Sequence, residues 1–154
     1  MVIIASRFNE ALTDGLVRGA QQTLRQAGVD AVQVCWVPGA FELPAAAARI
    51  AQERPDAIIA VGVIRRGRTP QYLALAHAVL QALAMVSVTS RVPVTCGVVV
   101  AQTLAQALAR TRWPAAARRR AVSRSKSPVA NRGAEAAAAA LELVETLDQR
   151  AVKP

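Results

Sequence analysis

One strand-to-helix junction near the middle of the chain constrains the architecture most tightly. Ala57-Ile58-Ile59-Ala60-Val61 is a short apolar run, β-branched in part and bounded by turn residues, which reads as a buried strand. Leu73 to Val88 is an Ala/Leu/Val segment too long for anything but a helix. The stretch between them, Gly62 to Tyr72, is therefore a loop at the carboxyl end of a strand, the place where open α/β sheets bind ligands. Two glycines, Thr69, the amides of a helix start and three arginines suit that loop to an anion. An ordinary βα turn with solvated arginines is the other reading of the same residues.

The rest of the chain repeats this alternation. Val2–Ala5 reads as a strand, and Thr13 or Asp14 can cap a helix reaching Ala27, closed by Gly28. Val32–Val37 is a second strand, followed by the loop Pro38–Pro44 and an Ala-rich helix ending near Gln52. After the central junction come a strand over Pro93–Val100, a short helix capped by Thr103 and running to Arg110, and a final helix over Arg132–Leu147. Four strands alternating with helices predict a parallel sheet with helices on both faces. The 154 residues suffice for one domain and not two. Thr111–Ala130, rich in Arg, Ser and Pro, reads as an irregular basic insert within it.

The formal charge of +9 raises the question of a polyanionic partner. Eight of the nineteen basic residues fall between Arg110 and Arg132, so the excess belongs to one segment and not to a face. Arg118-Arg119-Arg120 and Arg124-Ser125-Lys126 have only Trp113 near them as a stacking platform, and no nucleic-acid partner is expected. No apolar run is expected to cross a bilayer and no targeting segment is evident, which makes the cytoplasm the expected compartment and a membrane partner unexpected. Cys35 and Cys96 lie in apolar runs and read as small buried residues, with no metal set between them. Aromatics are few, and Phe8 and Phe41 sit at strand-to-helix junctions, better placed to stack a flat ligand than to fill a core. The helix after Tyr72 is apolar almost all round, which implies a second copy of the chain against its outer face.

Four loops in this order carry a resemblance: Ser6-Arg7-Phe8-Asn9, Val37-Pro38-Gly39-Ala40-Phe41-Glu42-Leu43-Pro44, Gly62 to Tyr72, and Asn131-Arg132-Gly133-Ala134-Glu135-Ala136. The chain resembles the 6,7-dimethyl-8-ribityllumazine synthases of riboflavin biosynthesis over nearly everything except Thr111–Ala130. The resemblance implies a flavodoxin-like three-layer α/β/α sandwich with a four-stranded parallel sheet, and pentamers with active sites between neighbouring subunits. It implies condensation of 5-amino-6-ribitylaminouracil with 3,4-dihydroxy-2-butanone 4-phosphate, without cofactor or metal. Phe8 then stacks on the pyrimidine, and Ala40, Phe41, Glu42, Val63 and Ile64 hold that ring and its ribityl chain. Gly67, Arg68, Thr69, Arg110 and Arg132 hold the phosphate, and Arg110 also assists its departure. Along the pentamer axis His77 and Gln81 line a channel.

Three positions depart from the family pattern. Gln71 stands where the family has its proton-transfer histidine, and an amide cannot carry a proton near neutral pH. The lone histidine, His77, is six residues further along a helix, about 600° of rotation and roughly 9 Å of rise away. Arg68 replaces an acidic or small residue, and Cys96 replaces an aromatic that borders the pyrimidine across the interface. A weakly active or non-catalytic paralogue, keeping the pocket and the oligomer as a ligand-binding scaffold, is the alternative these departures leave open. The basic insert before the last helix and the start directly at the first strand also predict free pentamers, or at most pairs, and no larger shell.

Overall fold

The computed structural model describes residues 1–113 and 131–151. Four strands, β1 (Val2–Ser6), β2 (Gln33–Val37), β3 (Ile58–Arg65) and β4 (Val94–Ala101), form one sheet in the order β2-β1-β3-β4, with every pairing parallel. Their side chains alternate between two cores. Ile3, Ala5, Ile59, Val61, Val63 and Val99 point to one face, where α1 (Glu10–Gln26), α4 (Leu104–Thr111) and α5 (Arg132–Ala151) pack. Val2, Ile4, Ile58, Ala60 and Val98 point to the other, under α2 (Leu43–Ile50) and α3 (Gln71–Ser90). This is the expected three-layer sandwich. β1 and β3 are buried on both faces, which is why they read as continuous apolar runs and not as alternating ones.

Several boundaries differ from the sequence expectations. β3 runs four residues past Val61, because Gly62 to Arg65 continue the ladder against Val98 to Ala101, so the loop begins only at Arg66. α1 begins at Glu10, ahead of the Thr13 or Asp14 cap. Asn9 adopts a left-handed conformation (φ 65°), which asparagine tolerates, and its carbonyl accepts from the amides of Leu12 and Thr13. Its side chain reaches the sheet instead, donating to the Val63 carbonyl at 2.9 Å. Thr111 is the buried last residue of α4, Arg112 and Trp113 follow it, and the rest of the expected insert, 114–130, lies outside the described residues. Cys35 is exposed and not buried, since β2 is an edge strand and its outer face has no layer over it.

Close helix packing holds α1 against α5. A Cβ on Gly133 would collide with the Leu16 backbone, so α5 can start there only with glycine. Asn131, fully buried just before α5, caps the helix by accepting from the Ala134 amide at 3.0 Å. Its Nδ2 lies 3.0 Å from the Gly15 and Thr111 carbonyls and 3.2 Å from that of Arg112. One side chain thus ties the end of α4, the start of α5 and the first half of α1.

α3 buries only a narrow stripe, Ala76, Val79 and Leu83, against the sheet. Leu73, Leu80, Met85 and Val88 are exposed. By length and composition alone this helix is long enough and apolar enough to cross a bilayer, contrary to the sequence expectation. Its buried stripe docks this helix on the sheet.

Candidate functional site

The loops after β1, β2 and β3 meet at one end of the sheet around a cavity of about 490 Å³. Two backbone bonds zip the first loop to the second: Arg7 N–H to the Val37 carbonyl at 2.8 Å and Phe8 N–H to that of Pro38 at 3.0 Å. The Asn9 bond to Val63 ties the same loop to β3. Phe8 and Phe41, on the first and second loops, both line the cavity and are 74% and 67% exposed, two ring faces left without a core to fill. Glu42 lies between Phe41 and the start of α2, and a Cβ on Gly39 would come within 2.9 Å of its Oε2, so the glycine lets the carboxylate settle over the loop. Among the described residues Glu42 has no ion-pair partner, leaving its oxygens available to hydroxyl donors.

Ala40, Val63, Ile64, Gly67, Thr69 and Gln71 line the same cavity, so most of the expected site residues converge. Gly67 and Thr69 offer a backbone amide and a hydroxyl just ahead of the α3 N-terminus, a suitable place for an oxyanion. Gln71 is the first residue of α3 and exposed, which puts the amide and not a titratable group at the mouth. Arg68 is exposed but does not line the cavity; Arg65, the last residue of β3, does. Tyr72 lines it as well; the sequence placed Arg65 and Tyr72 in the ligand loop but gave neither a contact of its own in the pocket.

The remaining expected residues gather elsewhere. Arg110 lines a second cavity, of about 380 Å³, with Tyr72, Leu73, Gln102 and Gln106. A Thr103–Gln106 capping box fixes the start of α4 and so the bearing of Arg110 one helix length on. Arg110 and Arg132 both reach Glu135 Oε2, at 2.8 and 3.0 Å. Cys96 lies on β4, away from the first cavity and near enough to Arg132 to feel its charge. Burial pushes its thiol above the usual range, only partly offset by a hydrogen bond with the Val98 backbone and by Arg132. His77 is exposed on α3, outside both cavities. Among the described residues no group of three His, Cys, Asp or Glu side chains could hold a metal ion.

The profile of the family described as 6,7-dimethyl-8-ribityllumazine synthase matches residues 1–148. The chain belongs to that family. Relatives that carry the family name agree over nearly the full length. The protein of Kineococcus radiotolerans is 40% identical over 154 residues, covering all of this chain and 87% of its own length. That of Renibacterium salmoninarum is 41% identical over 96% of this chain and 88% of its own, and that of Leuconostoc mesenteroides 35% over 97% and 88%. The lumazine synthase resemblance read from four loops therefore extends through the strands and helices between them.

Proposed function

We propose that the chain is a lumazine synthase, condensing 5-amino-6-ribitylaminouracil with 3,4-dihydroxy-2-butanone 4-phosphate to give 6,7-dimethyl-8-ribityllumazine. The observation that carries this is the cavity itself: two ring faces, a carboxylate and an amide–hydroxyl pair converge in a chain of this family. A planar pyrimidine stacks on Phe8 and packs on Ala40, Phe41, Val63 and Ile64. Glu42 accepts from the ribityl hydroxyls. The substrate amine attacks the ketone carbonyl and water leaves to give an imine. Loss of phosphate and a second condensation with loss of water close the ring. Gly67 and Thr69 hold the phosphate, and guanidinium groups stabilise the charge that builds on it as its C–O bond breaks.

The expected residues fall into two clusters, which fits active sites shared between subunits. Phe8 to Gln71 of one copy face a cavity that lacks Arg110, Arg132 and Cys96, and the neighbouring copy supplies those three. The exposed apolar face of α3 is the natural contact, and a homopentamer in the cytoplasm, with His77 and Gln81 around its axis, satisfies it. Arg68, outside the cavity of its own chain, acts on the incoming phosphate from the rim. Gln71 hydrogen-bonds the reacting groups but leaves proton transfer to water. General acid–base help is worth about 10²–10⁴-fold and positioning of two reactants can supply more, so turnover is slowed and not abolished.

The test is product formation from the two substrates, followed by lumazine absorbance against an enzyme-free control. A rate equal to the uncatalysed condensation would remove the assignment. Light scattering on the same sample reads the assembly, and a monomer or a sixty-subunit particle would contradict the pentamer.

A further inference from the structure

Two guanidiniums that converge on one oxygen leave an electrostatic question that the pocket alone does not answer. Arg110 donates from Nη2 and Arg132 from Nη1 to the same atom, Glu135 Oε2. The two donors come from different elements: Arg110 from the last turn of α4 and Arg132 from the first residue of α5. Glu135 is held in turn, since its own amide bonds the Asn131 carbonyl at 3.1 Å and Asn131 is anchored to α1 and α4. All three charged side chains are only partly buried, with 33–44% of each exposed, and Arg110 opens onto the second cavity. Glu135 therefore occupies, with one oxygen, the position between two guanidiniums that an oxygen of a phosphate would take.

We propose that Glu135 is a positioning residue and a resident competitor for phosphate: it holds Arg110 and Arg132 convergent while the site is empty and weakens their grip on phosphate when it is filled. The inference rests on the reading above, in which these arginines serve the phosphate. The pair carries two positive charges and the carboxylate removes one, so the anion meets a net charge of one. That matters for a reaction that must release inorganic phosphate at every turnover. A site that binds the leaving group too well traps its own product.

Glu135→Gln separates the two parts of the role. The amide keeps an oxygen for both arginines and removes the opposing charge. Titration calorimetry with inorganic phosphate, on the intact assembled protein, is expected to show Kd about 3- to 10-fold tighter than in the parent, the range for one charge at a half-exposed site. Phosphate should inhibit turnover more strongly by a similar factor. KM for the phosphate-bearing substrate should fall while KM for the amine stays constant. Glu135→Ala, which also removes the anchor, should gain less than Glu135→Gln. Asp14→Asn is the control, removing one carboxylate from the Arg18–Asp14 pair of α1. It should leave phosphate affinity unchanged. Glu135→Gln with parental or weaker phosphate affinity overturns the proposal, as does an equal gain in Asp14→Asn, which would make the effect one of bulk charge. Phosphate binding that responds to Glu135 in a protein without turnover would sink the assigned reaction and leave this role standing.

Discussion

Replacing Asn131 with alanine removes the helix cap and an amide nitrogen whose two hydrogens are shared among three carbonyls, on a side chain with no exposed surface. The helix cap is worth about 0.5–2 kcal/mol. The carbonyls of Gly15, Thr111 and Arg112 lose their donor, and each buried acceptor left alone costs about 1–3 kcal/mol, less where water reaches it. Arg112 is exposed and can turn to solvent; Thr111 is buried and cannot. Counting the cap, the Thr111 carbonyl and part of Gly15 gives a loss of about 3–5 kcal/mol. For a chain of this size that lowers Tm by on the order of 10 °C. Thermal unfolding at fixed protein concentration measures it, the concentration mattering because assembly adds to apparent stability. Asn131→Asp sharpens the test. It keeps the capping oxygen but turns the second oxygen toward three carbonyls, so at pH 7 it should destabilise about as much as alanine. A fall of less than about 2 °C in Asn131→Ala would refute the claim that this side chain holds α1, α4 and α5 together.

Five further outcomes follow from the site and the core. Phe8→Ala and Glu42→Ala should each weaken binding of a lumazine or substrate analogue by about 1–3 kcal/mol, read by fluorescence titration; unchanged affinity in both would empty the cavity of its assigned ligand. Gln71→His should raise kcat more than it alters KM and introduce a pH dependence near neutrality that the parent lacks. Inorganic phosphate or sulfate should raise Tm by mass action, and Arg110→Ala should blunt the rise. The raised thiol of Cys96 means that the folded state keeps a proton the unfolded chain gives up. Its contribution is full below the unfolded thiol pKa and is lost as pH climbs from there toward the folded value. Stability should therefore fall in mildly alkaline buffer, and Cys96→Ala should flatten that fall. Iodoacetamide should label exposed Cys35 well before Cys96.

The layer order and the strand count were legible because β1 and β3 are buried on both sides and carry unbroken apolar runs. The end of β3 was not. Gly62 and Arg65 look like loop residues, and only pairing with Val98 and Ala101 keeps them in the sheet. The start of α1 was hidden for a related reason: Asn9 stops the strand loop through its backbone angle while spending its side chain on Val63, a contact 54 residues away. Cys35 is apolar-looking in sequence because nothing local says that β2 lies at an edge. Of the residues that line the cavity, Phe8, Phe41, Gly67 and Thr69 stood out by residue type and loop position, and Glu42 only through the family resemblance. That Arg65 lines the cavity and Arg68 does not depends on where the strand ends, which no residue type reveals. Glu135 stood three residues after Arg132, a spacing that pairs side chains on a helix, but its second partner comes from α4.

The Asn131 clasp has a bearing on how this chain can vary. Because Nδ2 of Asn131 reaches the carbonyl of Arg112, the two ends of the stretch between them are already in contact, whatever its length. With both ends held by one side chain, a change in the number of residues between them is expected to alter stability little, since loop closure costs only about 0.6 kcal/mol more for each doubling of length. Additions and deletions there are expected to leave the sheet, its two cores and both cavities in place. The point between α4 and α5 is thus a natural port, able to accept a foreign sequence or a small guest domain while Asn131 keeps the host shut.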